Sequence, residues 1–213
     1  MDDYNLADCA AAGRSTSAGT QARRCAAGAR PGLVSKNSLY KFTGLFTETS
    51  GKEFKLVQLR GKPSVVVMAY TSCDYSCPIV VGRMKRIEAA LPPDIQNRVQ
   101  FVLISFDTER DTSEKLRNYL NKMHLDDRRW ILLHGGKDEI MELAVLLGVK
   151  FKPDGKGGFS HSNLITVLDK EGEIVHRLIG LNTDISETAA VLGNIAAADS
   201  HARGSKMQIA PER

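Results

Sequence analysis

Long apolar runs are missing from this chain of 213 residues. The longest, SVVVMAY from Ser64 to Tyr70, is far short of the roughly 20 residues a membrane-spanning helix requires. The N-terminal stretch MDDYNLADCAAAGRSTSAG starts acidic and has no apolar centre, so it is not an intact secretory signal. LADC at 6–9 has the outline of a lipobox, but Asp8 stands where a small residue belongs and no apolar stretch precedes it. Any signal or anchor is therefore expected outside this chain. Charge of one sign is also scarce, since 29 Lys and Arg are interspersed with 25 Asp and Glu for a net charge of +4. No concentrated basic patch and no nucleic-acid module results, which excludes nucleic acid as a partner. Cysteine is sparse, with four in the chain. Two of them, Cys9 and Cys25, fall in residues 1–35, a stretch rich in Ala, Gly, Ser, Thr and Arg without periodicity that reads as a flexible leader. They read as incidental thiols.

What remains is an ordinary globular composition, 42% hydrophobic and 25% charged, long enough for one α/β domain. The patterned part runs from 36 to 198, and 199–213 reads as a flexible tail. Apolar and polar residues alternate around Ser50-Gly51, which predicts a hairpin. SVVVMAY and VQFVLISF (99–106) are short, β-branched and continuously apolar, the pattern of strands buried on both faces. Between them Val80, Met84, Ile87 and Leu91 recur at helical spacing until Pro92-Pro93, which makes a β-α-β unit. Asp111 and Glu114 in capping-box spacing open a second helix. RRWILLHG predicts a strand, KDEIMELAVLLG a helix stopped by Gly148, and NLITVLDKEGEIVHRLIG a hairpin turning at Glu171-Gly172. A last helix opens at Asp184 and runs to about Ala198. This order predicts a thioredoxin-like (redoxin) fold, a central mixed sheet flanked by helices. In such open sheets the site lies outside the carboxyl ends of the strands, which is where the loop after SVVVMAY falls.

That loop carries Cys73 and Cys77. Pro78 suits a first helical turn, so Cys77 is expected close to a helix N-cap, whose partial positive charge favours its thiolate. A thiolate serves equally as nucleophile and as soft ligand. Three intervening residues, one more than in a thioredoxin-type redox pair, leave room for an ion between the sulfurs. Closed four-ligand zinc is disfavoured with only two cysteines in the folded part. Two thiolates and one imidazole suit copper. Of the five histidines, His161 stands out, because a Gly-rich loop, KPDGKGGFS, delivers it to the start of a buried strand across from the cysteines. His124, His134, His176 and His201 are weaker candidates, and Met84 reads as core rather than thioether ligand.

TSCDYSCP (71–78), SFDTERDTSEKL (105–116) and FSHSNLITVLD (159–169) resemble, in order and spacing, the signature segments of the Sco/SenC copper chaperones. The resemblance covers about residues 38–197. It implies that Cys73, Cys77 and His161 bind one copper, as Cu(I) and in some states Cu(II). It further implies an extracytoplasmic, membrane-tethered protein at a bacterial periplasmic face, acting in assembly of the dinuclear copper centre of cytochrome c oxidase. Partners would be the copper-site subunit of that oxidase and other copper chaperones or thioredoxin-like reductases. Thr108, where the family often has proline, and Ser160, where many members carry aspartate, depart from the pattern. Loss of the carboxylate at 160 would weaken Cu(II) more than Cu(I) binding.

Asp107 reads either as a hydrogen-bond partner behind His161 or as a turn former. Arg83, Lys85 and Arg86 read either as a steering surface for an acidic partner or as a solvated helix face. The leading function is a copper metallochaperone. The alternative is an enzyme, a thiol-disulfide reductase that uses Cys73 and Cys77 to keep the client's copper-site cysteines reduced. A peroxidase is disfavoured, because no threonine and arginine flank either cysteine in the arrangement that chemistry wants.

Overall fold

The computed structural model describes residues 35–204, with 199–204 given by backbone alone. The readings of the leader, of Cys9, Cys25 and the His201 side chain, and of the tail beyond 204 lie outside the described residues.

Buried strands organise the domain. β3 (Ser64–Ala69) is buried along its whole length, as its continuous β-branched run requires. It pairs in parallel with β4 (Gln100–Ser105) and antiparallel with β8 (Leu164–Leu168). β4 pairs in parallel with β5 (Trp130–Gly135). β1 (Phe46–Glu48) adds to β5 antiparallel and carries β2 (Glu53–Phe54) beside it. On the other side β9 (Ile174–Ile179) closes a hairpin with β8. The seven strands lie in the order β2-β1-β5-β4-β3-β8-β9, so the sheet is mixed, with three parallel strands at its centre. The expected α/β, thioredoxin-like arrangement is what forms.

The helices are α1 (Ser76–Ala90), α2 (Pro93–Gln96), α3 (Ser113–Lys122), α4 (Lys137–Leu147) and α5 (Ser186–Gly204). α1 packs against α5, and α3 against β5. Val80, Met84 and Ile87 of α1 are buried, which makes Met84 a core residue. Gly148 ends α4 at φ 78° and Gly172 turns the β8–β9 hairpin at φ 85°, conformations open to glycine at no steric cost. Among the described residues no helix is long and apolar enough to cross a membrane.

Three local expectations need correction. The N-cap of α3 is Thr112, whose side chain accepts from the Lys115 N–H at 3.3 Å; Asp111 is turned inward and buried. α5 continues past Ala198 to Gly204. The Gly-rich stretch before His161 is not a plain loop. It is a two-stranded antiparallel hairpin, β6 (Phe151–Pro153) and β7 (Phe159–His161), separate from the main sheet. Strands of three residues carry no readable period. What holds this hairpin is aromatic packing: the Phe151 ring stacks on Phe106 at 4.8 Å and Phe159 meets Tyr70 edge-on at 5.2 Å, geometries each worth about 0.5–1.5 kcal/mol beyond area burial.

Candidate metal centre

β3 ends at Ala69, and the chain must turn before α1 starts at Ser76. The turn is pinned from below. The Asp111 carboxylate accepts from the Thr71 N–H at 2.9 Å, from the Thr71 hydroxyl at 2.5 Å and from the Ser105 hydroxyl at 2.6 Å. A buried carboxylate with three donors is a satisfied one, and it joins the end of β4 to the loop two residues before Cys73. Pro78 sits in the first turn of α1, where its missing N–H is harmless.

The N-cap residue of α1, Tyr75, gives no side-chain cap. The orphan Cys77 N–H donates instead to Cys73 Sγ at 3.4 Å, so Cys73, rather than Cys77, stands in front of the helix N-terminus. This corrects the expectation that the helix start would favour the Cys77 thiolate. Burial works against the Cys73 thiolate, but hydrogen bonds from the Ser76 hydroxyl and the Cys77 and Tyr75 N–H groups outweigh it and bring the thiol down to about 6 from 9.0. Burial pushes the Cys77 thiol well up instead, and one N–H from Tyr70, at 3.5 Å, together with weaker help does not offset it. Cys73 is 9% exposed and Cys77 0%. Both are free thiols.

β7 brings His161 to this pair. Its Nε2 lies 3.7 Å from Cys77 Sγ and 3.0 Å from Ser76 Oγ. Its Nδ1 lies 3.1 Å from the Ser162 carbonyl, which can only accept, so Nδ1 carries the proton and Nε2 presents its lone pair on the side of the Ser76 hydroxyl and Cys77 Sγ. The ring packs between Tyr70 and Phe106, with centroids at 6.1 and 5.2 Å. Cys73 Sγ, Cys77 Sγ and a His161 ring nitrogen all lie within 4.8 Å of one another. Thiolate and imidazole bonds of about 2.3 and 2.0 Å meeting at 120° would set sulfur and nitrogen about 3.7 Å apart, the separation found for Cys77 and His161. The donors therefore fit a single soft, low-coordinate ion.

Other candidate residues do not join this group. Asp107 is a turn former: its carboxylate accepts from the Arg110 N–H at 3.2 Å and pairs with Arg110 Nε at 2.5 Å. It makes no hydrogen bond to His161 among those of the described residues. His134 bonds Ser113 and His176 bonds Thr188, each at 3.0 Å. His124 sits just past α3 at φ 51°. Arg83 is no surface cation. It is 4% exposed and donates to the carbonyls of Gly180 and Thr183, while Lys85 Nζ donates to the Met123 carbonyl at 2.9 Å. Only Arg86 of that trio is exposed.

Sequence reasoning missed Ser76 and Asp111. Ser76 was within reach, since a polar residue at a helix start three after Cys73 lies beside that sulfur. Asp111 gave no signal beyond its capping spacing, which pointed outward.

A family model described as SCO1/SenC matches residues 36–197. A Stutzerimonas stutzeri protein whose name records copper binding is 27% identical over 60% of this chain and 63% of its own. The mitochondrial protein SCO2 of Saccharomyces cerevisiae is 28% identical over 65% of this chain and 46% of its own. The chain thus spans less than two thirds of the length of these curated relatives. Among solved structures, ScoI of Bradyrhizobium japonicum with copper bound is 29% identical over 71% of this chain and 96% of that one, with a TM-score of 0.61.

Proposed function

This chain belongs to the SCO1/SenC family, and from that premise we propose that it is a copper metallochaperone whose cargo is held by Cys73, Cys77 and His161. One observation carries the reading: two sulfurs from one turn-and-helix stretch and an imidazole nitrogen from β7, 84 residues beyond Cys77, meet within 4.8 Å. Copper is the ion for this donor set, because soft thiolates select Cu(I) and three donors are one short of a closed four-ligand zinc site. The copper carried by ScoI of Bradyrhizobium japonicum and the copper named for the Stutzerimonas relative support it.

Each residue has a task. Cys77, buried and rooted in α1, is the fixed anchor. Cys73, the more acidic and more exposed thiol, is the ligand first met by incoming metal and the one first offered to an acceptor. His161 completes the set with its tautomer held by Ser162. The client is the dinuclear copper site of cytochrome c oxidase, and the domain works outside the cytoplasm, tethered to a membrane.

The asymmetry of the thiols also favours a second reading, reduction of the client's copper-site cysteines. Cys73 thiolate attacks a client disulfide and releases one client thiolate. Cys77, on losing its proton, then attacks the mixed disulfide, releases the second and leaves Cys73 joined to Cys77. The discriminating experiment is His161→Ala. Cu(I) affinity, measured against a calibrated chelator, should fall at least about tenfold to a hundredfold, whereas exchange with a model disulfide should persist. In cells lacking the native protein this variant should fail to mature the oxidase copper centre. Normal maturation would overturn the delivery reading in favour of the reductase.

A further inference from the structure

Ser76 is the side-chain hydroxyl that touches two of the three donors. Its Oγ lies 3.0 Å from His161 Nε2 and 3.4 Å from Cys73 Sγ. It stands at the first residue of α1, next to Cys77, so the helix fixes its position relative to that residue, while Cys73 lies in the turn just before. A serine hydroxyl has one proton to donate, and here two acceptors compete for it. The shorter contact is to the imidazole, whose other nitrogen is occupied by the Ser162 carbonyl at 3.1 Å.

We propose that Ser76 is a positioning residue whose single proton is shared between His161 Nε2 and the Cys73 sulfur in the metal-free protein and is given wholly to the Cys73 sulfur once the site is loaded. Without metal it ties the hairpin-borne imidazole to the start of α1 and the Cys73 turn, so that β7 and α1 hold one donor set before any ion arrives. Loading takes the Nε2 lone pair and releases the proton of the buried Cys77 thiol to solvent. The Ser76 proton, which never leaves its oxygen, then has Cys73 Sγ as its acceptor. A hydrogen bond to a thiolate withdraws electron density from sulfur. It therefore disfavours the more highly charged Cu(II) relative to Cu(I), as hydrogen bonding around a ligating cysteine does generally. Ser76 thus helps to bias the carrier toward Cu(I).

The inference rests on copper binding at this site, and its test separates the two. Ser76→Ala keeps a good helix former in the first turn, and Ser76→Thr keeps the hydroxyl. Each variant and the unaltered protein are titrated with Cu(I) and Cu(II) against chelators of known affinity, and the sulfur-to-Cu(II) charge-transfer band is recorded. In Ser76→Ala the band moves to lower energy and the ratio of affinities shifts toward Cu(II) by about tenfold, the worth of one hydrogen bond to a charged group. Ser76→Thr stays near the unaltered protein in both. In the metal-free state, the 15N resonance of His161 Nε2 moves in Ser76→Ala and returns in Ser76→Thr. An unaltered protein without a thiolate-to-copper band overturns the copper reading and this inference together. A normal band that Ser76→Ala leaves in place, with the affinity ratio unchanged, overturns the role of Ser76 alone.

Discussion

Alkylation of the metal-free protein should distinguish the two thiols by rate and by pH. With its midpoint at about 6, Cys73 is roughly nine-tenths thiolate at pH 7, whereas a thiol at 9.0 is about one-hundredth thiolate, a gain of about 90-fold. Intrinsic nucleophilicity falls as acidity rises, with a Brønsted slope of about 0.4–0.5, so the roughly thousandfold change in acidity costs about 20-fold. The net advantage at pH 7 is about fourfold, and it reverses to about tenfold slower than an ordinary thiol at pH 9. Burial slows Cys73 at every pH, because only 9% of it is exposed, but it does not move the midpoint. Cys77 is fully buried and its thiol is pushed upward by that burial, so it reacts last. The assay is iodoacetamide at several pH values, quenched and resolved by peptide mass spectrometry. A Cys73 midpoint at 8 or above, or prior labelling of Cys77, would refute the assignment of Cys73 as the thiol facing the helix N-terminus.

Two further outcomes follow from buried polar groups. Asp111→Ala removes one carboxylate and strands the Thr71 N–H and two hydroxyls. Urea unfolding of the metal-free protein should show a loss of about 2–4 kcal/mol, and a loss below about 0.5 kcal/mol would mean the turn before Cys73 is held by something else. Arg83→Met deletes donors to the Gly180 and Thr183 carbonyls while keeping an apolar stem of similar length. It should lower the unfolding free energy by about 2 kcal/mol and leave the salt dependence of client association unchanged; the reverse pattern would restore Arg83 as a steering charge.

The mixed sheet was readable because its central strands are buried on both faces, and such burial leaves an uninterrupted β-branched run. SVVVMAY and VQFVLISF are short and rich in β-branched residues, which favours strand over buried helix, and the placement of the first puts the following loop at the carboxyl end of the sheet. The spacing of Cys73 and Cys77 against Pro78 is likewise a one-dimensional fact, and so is the choice of His161 ahead of a buried strand. Other features depend on which groups meet in space. Helical spacing sets Arg83 three residues after Val80 and four before Ile87, at the margin of the buried face of α1, but only the turn at Gly180 and Thr183, which supplies carbonyls for the guanidinium, encloses it there. The β6–β7 hairpin has too few residues to show a period and forms because Phe106 and Tyr70, far away in the chain, offer rings to Phe151 and Phe159. Asp111 reads as a cap until Thr71 and Ser105 are seen to surround it. The order of thiol acidity is decided in the same way. Proximity to a helix start pointed to Cys77, but desolvation acts on the sulfur that the fold encloses, and the free N–H of the first turn points outward, at Cys73.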